Sequence, residues 1–590
     1  MENRTHSTSS VSVKCQNCKK DFVIEPEDFN FYEKIKVPAP TWCPECRLQR
    51  RLAFRNERAL YKRACELCNK DTISRYDPEK GIINYCGECW WSDKWDPTNY
   101  GQEYDFSKPF FEQFKELLRK VPQYNLITMY NTLVNTSFTN MNHYLKNCYY
   151  IFNSDYDERC MYGEELEHCT DCVDVTMAES TELAYQSLNC VKCYEIYYSV
   201  DCESSHDILF SKNLVGCSNC FGCVNLRGQQ YCIFNEKYTR DDYLNKLKEF
   251  NLGSRVAVEE IKKKAKEFWL KFPNKYMHGV QNLDSNGDYV YNSKYTKNSF
   301  IVTGAEYSKY CMWLIVKNNK DCYDFTQFGE NTELMYESLC SGKNTYDIIG
   351  GINSIEGRNM RYAAYCYNNN SNIFGCISLR NQSYCILNKK YTQEEYEEML
   401  PKIIKHMNDM PYVDKKGRTY VYGDFYPTEI AQFDYNETSA QEFFPLTKEE
   451  AEAQGYSWRE EKDRNYKITT KPQDLPDNIR DVSDDITKEV VGCEHEGKCT
   501  EQCTTAFRIT ESEFKFYKAK NIPIPNLCPN CRHYQRVLNR NPNKFWHRSC
   551  MCDKKHSHHQ GNCEIEFETS YGPDRPEIVY CEKCYQQEVY

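Results

Sequence analysis

The sequence predicts a mainly β chain: a duplicated parallel β-solenoid with coils of about 21 residues, flanked by terminal zinc-ribbon or treble-clef-like modules and closed by capping helices. Three observations predict it. Four-cysteine frameworks with zinc-type spacing stand at both ends of the 590 residues. Cysteines in the middle recur every 21 residues, as Cys148, Cys169 and Cys190 do, with Cys232 a further 42 on. The middle also repeats itself: Cys172-x-Asp174-x-Thr176 returns as Cys322-x-Asp324-x-Thr326, and Lys146-Asn147 as Lys297-Asn298.

Residues 1–100 form the first double zinc module. A CxxC knuckle presents two thiolates from one tight turn, so two knuckles complete a tetrahedral shell. Cys15, Cys18, Cys43 and Cys46 make one set, and Cys65, Cys68, Cys86 and Cys89 a second. Pro44 fits the first turn of a helix, where its missing N–H costs nothing. On that helix Arg47, Arg51, Arg55 and Arg58 share one face, a guanidinium stripe suited to phosphate contact. Trp90, Trp91 and Trp95 could stack bases or pack the module against its neighbour.

Residues 101–134 are a helical cap, with Ser107 as its N-cap and Phe110, Phe111, Phe114, Leu117 and Leu118 on one face. Residues 135–245 are solenoid unit 1, whose regularly spaced cysteines fit an interior ladder of small residues. A helical connector, 246–284, leads to solenoid unit 2 at 285–405. Each unit ends in a helix opening, Thr239-Arg-Asp-Asp242 and Thr392-Gln-Glu-Glu395, which covers exposed strand edges. Residues 406–490, with recurrent prolines, read as an extended and helical connector in which Thr447 opens one short helix.

Residues 491–590 are the C-terminal double zinc module. A gap-free shift of 485 carries Cys18, Cys43, Cys46 and Cys65 onto Cys503, Cys528, Cys531 and Cys550, and Arg47, Arg51 and Arg55 onto Arg532, Arg536 and Arg540. The first site is then Cys499, Cys503, Cys528 and Cys531, with Cys493 and His495 spare. Pro542 is expected to end the arginine helix. The second site takes Cys563, Cys581 and Cys584, with Cys550 or Cys552 as fourth ligand. Ten residues inserted before Cys563 carry His556, His558 and His559. Four closed sites imply about four zinc ions per chain.

Residues 15–51 and 499–536 resemble zinc-ribbon modules common in bacterial proteins. The shared pattern is a knuckle, then Phe22-Val23-Ile24, Phe31-Tyr32, Pro38 and Pro40, and Cys43-Pro44-Glu45-Cys46-Arg47. The whole arrangement resembles uncharacterised multi-zinc proteins predicted in genome-reduced bacteria. The resemblance implies metal binding and no named activity.

Composition narrows the function. No apolar leader follows Met1, and the 35 cysteines fit thiolate ligands and buried thiols of a cytoplasmic protein better than disulfides. Residues 135–243 carry 17 Asp/Glu against 7 Lys/Arg, while 47–63 carry 7 Lys/Arg against one Glu. No nucleophile elbow, phosphate loop or HExxH motif occurs. The expectation is a non-enzymatic protein that binds nucleic acid, RNA or ribonucleoprotein, through basic ends held apart by an acidic spacer. The alternatives are a protein–protein scaffold using the solenoid surface and, third, a carbohydrate-active solenoid enzyme. No membrane or small-molecule partner is expected.

Overall fold

The backbone of the middle region turns a corner at every third residue. From Asn135 to Phe234 each third residue has φ between +45° and +67°, with Gly216, Gly222 and Gly228 filling three of the corners. Left-handed backbone costs a non-glycine residue about 1 kcal/mol, least for Asn and Asp, and Asn135, Asn147, Asp171, Asn189, Asp201, Asn213 and Asn225 are among the corners. In the computed structural model, which describes residues 9–460 and 467–590, four such corners close one coil. Parallel strand pairs join residues 12 apart: Phe152 to Glu164, Tyr194 to His206, Ser218 to Gln230.

The second solenoid mixes coils of 12 residues, Phe300 to Met312, with coils of 13, Met335 to Ile348. One turn takes 14, Met312 to Thr326, so the expected coil of about 21 residues is corrected to 12 to 14. The 21-residue interval is seven triplets. It keeps a cysteine at the same phase of the triplet but moves it to another side of the coil.

The residue after each corner points inward. All the first unit's cysteines, from Cys148 to Cys232, hold this position and are buried. Cys160 Sγ donates to the carbonyls of Glu158 and Cys169, both at 3.5 Å. Thr181 and Ser187 hydroxyls make the same pair of bonds, two residues back and nine ahead. A narrow interior that offers carbonyls selects small side chains with one weak donor, hence Cys, Ser and Thr. Ile151, Val175, Ile196 and Ile208 complete this core.

Each unit forms an 11-stranded sheet, parallel except at its last pair. The first runs from Asn140–His143 to Glu236–Lys237 and the second from Gly287–Tyr291 to Lys389–Lys390. The closing helices follow as expected, Arg240–Leu247 with Thr239 at its N-cap and Gln393–Asp409 with a full capping box on Thr392. Thr447 likewise caps Lys448–Ala453. The apolar helix of the 101–134 segment is Phe110–Lys120; Pro109, not Ser107, precedes it, because Asp105 accepts from the Ser107 N–H in a turn of its own. Phe110 packs on Tyr362 and Phe374, so this helix covers the second solenoid.

The modules dock crosswise. The N-terminal module lies on the second solenoid, with Phe31 stacked on Tyr323 at 3.9 Å and Tyr32 against Tyr336 at 5.6 Å. The C-terminal module lies on the first, with Tyr517 against Tyr185 at 5.7 Å. The two ends also meet. Arg58 of the first module pairs with Glu164 and touches Asn530 of the last, while Phe545 of the last module also reaches Phe300 of the second solenoid. The solenoid does not hold the termini apart.

Candidate metal centres

Each cysteine set is built by one local design. A short hairpin, Val11–Lys14 with Asp21–Ile24, turns through Cys15 and Cys18, helped by Lys19 at φ +63°. Cys43 is the N-cap of helix Pro44–Leu52, and its N–H donates to Cys15 Sγ at 3.2 Å. The hairpin Tyr61–Ala64 with Asp71–Ser74 repeats this: Cys86 caps helix Gly87–Trp90 and donates to Cys65 Sγ at 3.2 Å. Helix N-termini and backbone donors favour thiolate over thiol. Zn–S bonds of about 2.3 Å in a tetrahedron put sulfurs about 3.8 Å apart. Cys18 and Cys43 are 3.7 Å apart and Cys68 and Cys86 3.9 Å. Both sets have the spacing of zinc sites, and the structure brings together the two sets of four cysteines the sequence pointed to.

The C-terminal module keeps the design and changes one ligand. The clustered thiols are Cys493, Cys503, Cys528 and Cys531. Cys493 takes the place of Cys15: the Cys528 N–H donates to its sulfur at 3.3 Å, and that sulfur is 3.8 Å from Cys531. Cys499, the expected first ligand, sits on a seven-residue expansion of the knuckle, 3.7 Å from Cys531. Cys493, expected to be spare, completes this four-thiol cluster with Cys499 beside it, while His495 pairs with Glu501. A gap-free shift could not see this, because the insertion falls between the first and second ligands.

The second set is Cys550, Cys563, Cys581 and Cys584. Cys550 fills the role of Cys65, accepting from the Cys581 N–H at 3.2 Å. Cys552 lies in a second cluster with His556 and His559 that shares Cys584.

The arginine stripes face inward. Helix Pro44–Leu52 stops before Arg55, and helix Pro529–Val537 stops at the equivalent residue, five before Pro542. Neither stripe is one long helical face, and neither meets solvent: Arg47, Arg51, Arg55, Arg58, Arg532, Arg536 and Arg540 are all buried. Arg47 and Arg51 grip Asp324 at 2.9 and 3.1 Å; Arg50 and Arg51 grip Glu337 at 2.9 and 2.8 Å. Arg50 also lies over the Trp42 ring at 4.3 Å. In the other copy Arg532 and Arg536 grip Asp174 at 3.0 and 2.9 Å.

Arg51 bonds Thr326 as Arg536 bonds Thr176. The second clamp covaries between copies. Arg50 and Glu337 become Gln535 and Gln186, so both charges disappear together. Burial opposes the charge of Arg47, but Asp324 outweighs it and keeps the guanidinium protonated.

Arg55, Arg58 and Arg540 enter a second buried cluster where both modules, the first solenoid and the 406–490 segment meet. Arg55 pairs with Glu57, Arg58 with Glu164, and Arg540 with Glu442 at 2.5 Å. Burial works against Glu442, yet the hydrogen bond from His533 and the charges of Arg540 and Arg58 keep it below the usual carboxylate range. Burial and then Arg58 push His533 down to about 3, so it stays neutral. Such shifts accompany catalysis in open clefts; here the groups are enclosed. Trp90 and Trp95 are also buried, under the Arg380 guanidinium at 5.1 and 5.2 Å, so they pack the module. No helix among the described residues is long and apolar enough to cross a membrane. No known protein family matches the chain, and no curated protein is significantly similar to it.

Proposed function

We propose that this chain is a non-catalytic interaction scaffold: a double solenoid locked by zinc modules, presenting its outer faces to a protein partner. The observation that supports it most is a duplicated ladder of exposed aromatic rings. Tyr144 stacks on Tyr156 at 4.8 Å, and Tyr156 on His168 at 4.8 Å. In the second unit Tyr295 stacks on Tyr307 at 4.9 Å. These tyrosines are 40 to 50 % exposed. Rigid aromatics with a polar tip supply contact area at low entropic cost and are enriched in interface hot spots. Ion pairs such as Lys294–Glu306 and Arg159–Asp171 run beside them, giving a charged rim.

The arginine stripes have little to offer nucleic acid, because their guanidinium groups are already paired to the protein's own carboxylates. The deciding experiment is a pull-down with the full chain from its native lysate, with and without nuclease. It is run beside a variant carrying Tyr144→Asn, Tyr156→Asn, Tyr295→Asn and Tyr307→Asn. Asn tolerates the left-handed backbone of these positions, so the solenoid should persist. Protein partners should survive nuclease and be lost from the variant. Partners lost on nuclease treatment would return the reading to nucleic acid; partners kept by the variant would remove the ladder from it.

A further inference from the structure

The last module holds more metal ligands than one zinc ion can use. Its ten-residue insertion folds back between Cys552 and Cys563, closed by bonds from the His556 N–H to the His559 carbonyl and from the Cys563 N–H to the Cys552 carbonyl. This fold brings Cys552, His556, His559 and Cys584 together, with their ligand atoms all within 4.8 Å of one another. His556 Nε2 is 3.1 Å from Cys552 Sγ, and His559 Nε2 is 3.1 Å from Cys584 Sγ. Two groups that each give a lone pair to one cation are brought this close; without an ion, each contact would need a ring N–H or a thiol S–H as donor.

Cys584 belongs to both clusters. It is also one of the four thiols of the neighbouring Cys550, Cys563, Cys581 and Cys584 set. The N-terminal copy has no counterpart, since Cys65 and Cys68 there are separated by two residues and the insertion is missing.

We infer that the C-terminal module binds a pair of zinc ions bridged by the Cys584 thiolate. One ion takes Cys550, Cys563, Cys581 and Cys584; the other takes Cys552, His556, His559 and Cys584. Both are four-coordinate with soft or borderline ligands, as structural zinc requires. The charge balance also favours two ions. Five thiolates and two neutral imidazoles against two dications leave one net negative charge, whereas a single ion leaves Cys552 to be buried unliganded.

The supporting shell is of the kind that fixes such ligands. His559 Nδ1 bonds the Gly561 carbonyl at 2.7 Å, which leaves Nε2 as the lone-pair nitrogen facing Cys584. His558 lies 3.4 Å from Cys584, outside this ligand set, with its Nδ1 held by Gln587. Lys554 pairs with Glu588, tying the inserted loop to helix Glu582–Val589.

The inference is independent of the scaffold reading. It is tested by native mass spectrometry and elemental zinc analysis of the full chain beside His556→Asn/His559→Asn. The wild type should carry five zinc ions and the double variant four. Equal zinc content in the two proteins, or four ions in the wild type, would overturn the pair. Because the variant could disturb the whole module, a second measurement uses the wild type alone. In the chain loaded with ¹¹³Cd, two resonances should show mutual ¹¹³Cd–¹¹³Cd coupling through the shared sulfur, and its absence would refute the bridge. Cys584→Ser should lose two ions where Cys550→Ser loses one; a loss of one in both would make the two sites separate.

Discussion

Asp324→Asn removes one negative charge from the seam between the N-terminal module and the second solenoid. Two guanidinium groups then face an amide: Arg47, which had 2.9 Å to the carboxylate, and Arg51, which had 3.1 Å. All three side chains are 2 % exposed or less, so water cannot take the place of the lost charge. Breaking a buried pair by removing one partner costs about 3–5 kcal/mol. Arg51 keeps Glu337 at 2.8 Å and Arg47 keeps the Trp42 carbonyl at 2.7 Å, which places the expectation near the lower end.

The loss should be local. The module undocks while the solenoid, with its own carbonyl-bonded interior, persists. Urea titrations followed by tryptophan fluorescence measure the cost, and hydrogen exchange over residues 44–52 locates it. Asp174→Asn should do the same to the other module, by releasing Arg532 and Arg536. The control is Lys405→Gln, which breaks an exposed pair with Asp409 and should cost well under 1 kcal/mol. If Asp324→Asn costs no more than that control, the seam is not held by these charges and the docking argument fails.

Four further outcomes follow from the same geometry. Cys493→Ser should lose one zinc ion and loosen the helix that carries Arg532, whereas Cys499→Ser should lose none; metal analysis of the two variants reverses the assignment if the losses are exchanged. Alkylation of the native protein should spare Cys169 and Cys190, both fully buried, until denaturant is added; mass mapping reads this directly. Burial disfavours charge on His278, but Asp288 at 2.7 Å and Asp201 at 3.5 Å overcome it and lift the imidazole to about 10. Its contribution is therefore full below about 6.5 and fades as pH rises through 10, so the stability gap between wild type and His278→Gln, from urea melts, should shrink over that range. Finally, Arg47→Glu/Arg51→Glu/Arg55→Glu should unfold the docking seam, and any change in retention on a mixed RNA/DNA pool should track that unfolding.

The ligands of the N-terminal module were legible because spacing alone defines a zinc knuckle and nothing interrupts it. Cys493 was hidden by a seven-residue insertion inside the first knuckle, and His556 and His559 by a ten-residue insertion whose fold brings distant residues together. The solenoid was legible as a repeat, but its coil was not. Counting only 21-residue returns passes over the 12-residue steps Cys148, Cys160 and Cys172, and the enrichment of Asn, Asp and Gly among the left-handed corners that fall every third residue.

The arginine stripes show a different limit. A helical face of cations looks the same whether it meets water, phosphate or carboxylate. The missing clue lay elsewhere in the chain, in Asp174 with Thr176 and Asp324 with Thr326, which repeat in step with the stripes they receive. The paired loss of charge at Gln535 and Gln186 points the same way.

Crosswise docking has a consequence for synthesis. The first module leaves the ribosome long before Asp324 and Glu337, nearly three hundred residues away, have been translated. Arg47, Arg50 and Arg51 then have no carboxylates to receive them, so for that interval the nascent end carries an uncovered basic stretch at residues 47–63. The first solenoid likewise waits for the last hundred residues before Asp174 meets Arg532 and Arg536. Contacts this distant in sequence form late and slowly, and partly made chains with exposed faces are prone to aggregate. Zinc supplied early would let the first module fold and wait, whereas zinc withheld until release would leave both seams to assemble at once from unstructured ends.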